Sequence, residues 1–432
     1  MSQNFWIKTE ERLYALIPPL LLIYIFFQPF NHFAGIRNTA FYSMLLFFMI
    51  KVARKGGRFV FQGINWKDST IIALCILLGA ILISIVFSDY KIDSLNAFRK
   101  NFLCQLVVFF VILAEFRSLE KLQSLLYAVI LSFITVTLII FIKNPPAALF
   151  NILEAKANKE TFLGGYALNA AFYIPFTFGY LLSVKDRLYR KGFFWVMLSA
   201  EFTLVWLYYS SRTTLAAILV SIIVIILISK RYKMLAVVIV IFLGLGGISY
   251  FKKPELLDRY KTLFSPKTYI TNEGLSGRGD IWRGAIDIIK DSPIIGYGYG
   301  WKKIATVVRE DGYLERWREK WPGTYDYFKK TDYGSANPHN LVLQILFEAG
   351  ALGLAAFVLF WLAVFIKVVR IIRQGSDDEL NCFVKYGVVA VLVAYAIINT
   401  ANGLWEETYG PLTFTLAAIT MVIYEQNRCK GN

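Results

Sequence analysis

Histidine is nearly absent from this chain, with 2 in 432 residues, and cysteine is scarce, with 4. His32 and His339 stand far apart and near no cysteine, so no Cys/His spacing of a zinc site exists. Cys75 and Cys104 fall in or near apolar stretches, Cys382 and Cys429 near the C-terminal end, and the one long hydrophilic stretch has none. That excludes a disulfide framework there. Charge is thin as well: 18% of residues are charged against 57% hydrophobic, which excludes a soluble domain of this size. Acidic residues are outnumbered, 30 to 46, and no Asp/Glu pair of the kind a glycosidase uses stands out. No internal repeat or low-complexity tract is present.

What the chain has instead is apolar length. Stretches of roughly 17–25 residues almost free of charge recur along it, the length that crosses a hydrocarbon core about 30 Å thick. Backbone groups in lipid must bond within their own segment, so these stretches are expected to be helices. About twelve such spans are read, at 13–30, 39–53, 69–88, 101–115, 124–142, 164–184, 192–210, 212–229, 234–250, 340–368, 383–401 and 408–424. The first is long and lacks a small-residue cleavage pattern, so it reads as a span and not as a cleaved leader.

The net charge of +16 invites a nucleic-acid reading, which its placement excludes. Basic residues crowd into alternate connections: Lys51, Arg54, Lys55, Arg58 and Lys67; Arg117 and Lys121; Lys185, Arg187, Arg190 and Lys191; Lys230, Arg231 and Lys233; Lys367, Arg370, Arg373 and Lys385. Lys8, Arg12, Arg428 and Lys430 extend the same side to both termini, while the opposite short connections are poor in them. Positive-inside bias then puts both termini in the cytoplasm and the 251–339 stretch outside, between the ninth and tenth spans. The expected division is 1–250 with nine spans, 251–339 as one large, partly helical outer loop, and 340–432 with three spans and a cytoplasmic end.

A loop of that length is commonly functional. From Arg278 to Asp291 it has helical periodicity, with Ile281, Trp282, Ala285, Ile288 and Ile289 on one face. Ser276 is a candidate cap, and Ser292-Pro293 ends the helix. The aromatic turn Gly296-Tyr297-Gly298-Tyr299-Gly300-Trp301 follows. The run 309–333 mixes Trp317, Trp321, Tyr325, Tyr327 and Phe328 with Arg316, Arg318, Lys320, Lys329 and Lys330, as a helix lying in the headgroup layer would. A second outer loop, 143–163, holds Pro145-Pro146 and the apolar 147–153, and is expected to rest on the membrane.

Four side chains stand out chemically. Arg212 opens the eighth span at its outer end; it either snorkels to headgroups or presents a guanidinium fork to a pyrophosphate. Arg278 opens the loop helix, where backbone amides favour anions, and Arg283 follows on another face; either also reads as a surface arginine. His339, in Asn337-Pro338-His339-Asn340, precedes the apolar run of the tenth span and titrates near neutrality, so it suits proton transfer from a hydroxyl. Glu201, inside the seventh span, is either functional or paired with another helix.

These motifs reach a known family. His339-Asn340, nine residues, Gly350, two residues and Gly353 resemble the signature of bacterial O-antigen ligases. Ser276-Gly277-Arg278 with Trp282, then Pro293 and Gly296-Tyr297-Gly298, resemble the wider superfamily of O-antigen ligases and polymerases, and Ser211-Arg212 at the mouth of a span is a third match. The resemblance implies an all-α, polytopic, GT-C-like membrane glycosyltransferase of the bacterial inner membrane, inverting and metal-independent, with no cofactor. It implies as donor an O-polysaccharide on undecaprenyl pyrophosphate, and as acceptor a sugar hydroxyl of lipid A–core at the periplasmic face, with membrane lipids around it and no nucleic acid. By the same resemblance His339 is the base and Arg212 binds pyrophosphate, together with Arg278 or its competitor Arg283. Asn340, Asp280, Glu406 and Glu407 are candidates for supporting roles.

Other readings remain open from sequence. An O-antigen polymerase or protein oligosaccharyltransferase belongs to the same superfamily, though the compact C-terminus after the twelfth span argues against an oligosaccharyltransferase of the kind that carries an extra domain. A lipid-linked glycan transporter or flippase would more often show repeated halves and midplane polar residues.

Overall fold

The computed structural model describes residues 3–30, 32–143, 165–184, 188–206, 211–252, 254–261, 277–374, 378–405 and 409–430. Among these there is no strand. Helices α1 (Gln3–Ala15), α2 (Ile17–Phe26), α3 (Ala34–Lys55), α4 (Ser69–Phe87), α5 (Lys91–Lys100), α6 (Phe102–Glu115) and α7 (Leu119–Lys143) form the first part. Then come α8 (Tyr166–Ser183), α9 (Leu188–Leu204), α10 (Arg212–Ser229), α11 (Lys233–Lys252) and the short α12 (Pro254–Lys261). The stretch expected to lie outside carries α13 (Arg278–Asp291), α14 (Ile304–Glu310), α15 (Tyr313–Lys320) and α16 (Pro322–Lys329). The chain ends with α17 (Leu341–Arg373), α18 (Glu379–Phe383), a π turn at Val384–Val388, α19 (Val389–Ile398) and α20 (Tyr409–Lys430).

The described part of each stretch read as a span is mostly helical, and among the described residues eight helices are long and apolar enough to cross a membrane. The other stretches show why length alone is a coarse guide. Pro18-Pro19 restart the first one at α2, which keeps only 10 residues. Helix α8 is buried along almost its whole length, so its neighbours and not lipid surround Asn169 and Thr177. At its centre Gly179 meets Gly387 so closely that a Cβ would lie 2.4 Å from the Gly387 Cα.

Helices α13 to α16 close over a small second core of Ile281, Ile288, Ile304, Val307, Trp317 and Phe328. This corrects the expectation for 309–333. That run is two short helices, not one headgroup-lying helix, and Trp317 is completely buried with its indole N–H donating to Asp287 at 3.0 Å. The aromatic-basic spacing arises because α15 and α16 fold back on α13 and alternate core and surface within each turn. The 147–153 segment and Ser276 lie outside the described residues.

Helix α17 is not one rod. At Gly350 the backbone leaves helical geometry, with φ +61 and ψ −165. Val342 and Val358 line one groove, whereas a continuous helix would hold them about 24 Å apart. The segment from Leu341 to Ala349 therefore folds back against the long segment beyond Gly350, forming a re-entrant arm. Small residues permit the bend: the Ala349 Cβ would sit 2.3 Å from a Cβ at Gly353.

The break frees backbone groups, and the chain after α13 takes them up. Ala351 N–H donates to the Pro293 carbonyl at 2.8 Å and Leu352 N–H to Ile294 at 3.1 Å, while Tyr297 N–H donates to Phe347 at 2.7 Å. Ser84 of α4 donates to the Glu348 carbonyl, and Ser88 to that of Tyr297. Below this splice Lys303, 1% exposed, donates its three ammonium hydrogens to the carbonyls of Gly298, Tyr299 and Gly300 at 2.6–2.9 Å.

Two substitutions test this account. Gly350→Ala needs positive φ from an L residue and drives a Cβ to 2.2 Å from the Ile294 carbonyl carbon; Lys303→Met orphans three buried carbonyls, at about 1–3 kcal/mol apiece. Both are expected to lower the thermal midpoint in detergent and to expose residues 278–340 to limited proteolysis. Wild-type protease resistance in both would refute the splice.

Candidate functional site

His339 sits on a turn built by its neighbours. Its own φ is +51, in the left-handed region where histidine is several-fold enriched among non-glycine residues. The Asn337 side chain accepts the His339 N–H at 2.6 Å, closing an Asx-type turn around buried Pro338. Asn340 then caps the re-entrant arm by accepting from Leu343 N–H at 3.1 Å. The turn is held from two sides. Trp282 of α13 donates its indole N–H to the Pro338 carbonyl at 3.0 Å. From the end of α19, the Thr400 carbonyl accepts from Asn340 at 3.2 Å and the Asn399 carbonyl from Leu341 N–H at 3.0 Å.

These two anchors bring the arginines in. Arg278 is the first residue of α13, one turn from Trp282, and is half-buried. Arg212 is the first residue of α10, which packs along α19. Burial lowers the Arg278 pKa, and the Arg212 charge lowers it further. Burial likewise lowers the His339 pKa from the ordinary 6.5, with the Arg278 charge adding to it. Three residues singled out in sequence thus share one electrostatic neighbourhood. A cation beside the imidazole keeps it neutral at pH 7, the state in which it accepts a proton. Two guanidinium groups close enough to repel are a site that an anion would stabilise.

The remaining candidates are placed differently. Arg283 is half-exposed and bonds Asp280 at 3.3 Å, with its guanidinium 5.9 Å from the Trp321 ring centroid. Asp280 also lies against Gly323, and its carbonyl accepts from Thr324 at 3.1 Å, so it joins α13 to α16. Glu406 and Glu407 lie outside the described residues. Glu201 is fully buried within α9.

Several residues of consequence were not singled out in sequence. Asn399 and Thr400 hold the turn; the polar cluster that ends the apolar run before them was the available signal. Glu348 is fully buried on the re-entrant arm and accepts from Gln344 at 2.8 Å. A Gln/Glu pair four apart in an apolar run marks it. Lys303 carried no signal beyond being one of two adjacent lysines.

Fold and site together define a polytopic helical membrane protein with two arginines and an uncharged imidazole gathered beside a small helical loop core. Two likenesses to known proteins accompany this arrangement. A family model described as O-antigen ligase matches residues 193–358, a range that holds Arg212, Arg278 and His339. The curated O-antigen ligase of Salmonella typhimurium is 24% identical over 325 residues, covering 73% of this chain and 72% of that relative. Both likenesses point to the same family that the motifs resemble.

With only His32 and His339 in the chain, selective labelling of histidine makes the electrostatics measurable. His339 is expected to titrate below 6.5 by NMR of ring-labelled protein. Arg278→Gln removes a repelling positive charge, so it should move that midpoint upward. An unchanged or lower midpoint would contradict the arrangement.

Proposed function

We propose that this chain is an O-antigen ligase, an inverting glycosyltransferase that moves an O-polysaccharide from undecaprenyl pyrophosphate to a sugar hydroxyl of lipid A–core. The observation that carries this reading is the placement of Arg278 within the fields of both Arg212 and His339. His339 takes the proton of the attacking hydroxyl as its oxygen bonds to the anomeric carbon. The bond to pyrophosphate breaks, and its electron pair leaves on a phosphate oxygen facing Arg212 and Arg278. Two fixed guanidinium groups stabilise that charge without requiring a divalent ion. Arg278, not Arg283, is the second arginine in this reading, because Arg283 is engaged by Asp280 and Trp321.

The same reading assigns the cell geometry. The chain spans the bacterial inner membrane about twelve times, by the span length that lipid demands. Its basic connections and both termini are cytoplasmic. Residues 251–339 form a periplasmic loop between spans in 1–250 and spans in 340–432.

The test is reconstitution of purified protein with undecaprenyl-pyrophosphate-linked glycan and lipid A–core in the presence of chelator. Wild type should form lipopolysaccharide, and His339→Ala should form none while remaining folded. Arg212→Lys and Arg278→Lys should each lose about 100-fold or more, since an ammonium lacks the fork; Arg283→Lys should keep most of its activity. Elongated lipid-linked glycan in place of lipopolysaccharide would make the protein a polymerase. Loss in Arg283→Lys but not Arg278→Lys would exchange the two arginines.

A further inference from the structure

A polar cavity of about 350 Å³ lies at the same end of the helix bundle as the His339 turn. A short chain of contacts fixes that end. Asn101 lines the cavity, and the next residue, Phe102, packs on Trp405 with ring centroids 6.3 Å apart. Beside Trp405, Leu404 N–H donates to the Asn399 side chain at 2.7 Å, and the Asn399 carbonyl holds the Leu341 N–H. The cavity is nonetheless a separate place, since none of its lining residues belongs to α10, α13, α17 or α19.

Three parts of the chain converge on it. Gln28 follows α2, Arg37 and Asn38 come from the first two turns of α3, and Lys100 and Asn101 from the junction of α5 with α6. No carboxylate lines it, and among the described residues neither Arg37 nor Lys100 forms an ion pair. Two like charges brought to one cavity by separate elements repel until an anion joins them. Three primary amides stand beside them as neutral donors. In the proposed topology this is also the end where positive-inside bias keeps basic residues scarce. Such a set suits a phosphate, to which the guanidinium offers a fork and the ammonium a point charge. Helix α3 indicates what carries the phosphate. Tyr42 at the cavity, with Leu46 and Met49 along the same face, is part of a strip 57–63% exposed. That strip would lie against hydrocarbon and lead alkyl chains up to the two cations.

We infer that this cavity binds the phosphate of a lipid head, at a site distinct from the Arg212–Arg278 pair. The site does not depend on the ligase reading, which supplies only one of two owners of such a phosphate, a phosphorylated lipid A acceptor. The other is an anionic phospholipid of the surrounding leaflet. Both present a phosphate at the level of the helix ends with alkyl chains beneath it. Either occupant would brace the aromatic turn through α5. A Cβ at Gly300 would lie 2.5 Å from that of Ala97, one turn before Lys100, and Phe98 packs edge-on against Tyr299 at 6.3 Å.

Thiol labelling of Asn38→Cys in purified protein, read at position 38 by peptide mass, reports on the cavity without any transfer. Phosphatidylglycerol or diphosphorylated lipid A is expected to slow the labelling, while diacylglycerol, dephosphorylated lipid A and inorganic phosphate leave it unchanged. Slowing by phosphatidylglycerol alone assigns the cavity to membrane phospholipid, and slowing by lipid A alone assigns it to the acceptor; either supports the lipid-phosphate site. Arg37→Gln and Lys100→Gln should each raise the lipid concentration for half protection about tenfold, the scale of one charge-assisted hydrogen bond. Together they should abolish protection. Exchange of the cations, Arg37→Lys with Lys100→Arg, should keep it, which separates lost charge from a disturbed fold. Equal slowing by the phosphate-free lipids or by inorganic phosphate overturns the inference, as does no slowing by either phosphorylated lipid. Protection that survives the double Gln variant overturns it too. Absence of transfer in the reconstituted system with protection intact would instead sink the ligase reading and leave this site standing.

Discussion

A helix broken inside an apolar run must have its freed backbone groups bonded elsewhere, and in this protein that single requirement organises the site. At Gly350 the α17 ladder is interrupted, and the carbonyls of Pro293 and Ile294 and the N–H of Tyr297 complete it. An unsatisfied backbone group away from water costs several kcal/mol, so the break and the splice exist only together. The consequence is mechanical. The loop core is joined to a membrane helix through backbone, not through exchangeable side chains, and its orientation over the helix ends is fixed.

Position of the chemistry follows from that fixation. The splice reverses the chain, so the re-entrant arm begins at the level of Asn399, and the turn just before it carries His339. Trp282 ties the same turn to α13, whose first residue is Arg278. Lys303 secures the intervening Gly298–Gly300 turn with three short bonds. A glycine-rich turn has high conformational entropy to lose, and an ammonium with three fixed carbonyl partners is a compact way to offset it. Its ammonium stands 5.7 Å from the Phe347 ring centroid, at the base of the arm.

How much of this the sequence disclosed differs by level. His339 and Arg212 stand out in sequence because each lies at a junction between apolar and polar chain, and Arg278 because it opens a helix in the long hydrophilic stretch. Arg278 and Arg283 were not separable: five residues apart, they point about 140° from each other on a helical wheel, and which direction faces the site depends on α16, distant in sequence. The 309–333 run misled for a related reason. Aromatic and basic residues in alternation describe a headgroup helix and a folded helical hairpin equally well, and only the burial of Trp317 and Phe328 decides. The Gly350 break was not read from sequence, since 340–368 reads as one span. Lys303 left none either, because nothing local distinguishes it from Lys302.

The same economy explains how Arg212 and the His339 turn come together. Helix α19 has α10, bearing Arg212, along one side. On another side it diverges from α17, leaving the groove whose mouth is Asn340. Its last turn supplies Asn399 and Thr400, which hold the His339 turn. One helix end thus supports Arg212, the His339 turn and the entrance of an apolar groove. In the proposed ligase reading, that grouping would set the phosphorylated head of a lipid donor beside both arginines and the imidazole, while α13 holds the His339 turn through Trp282.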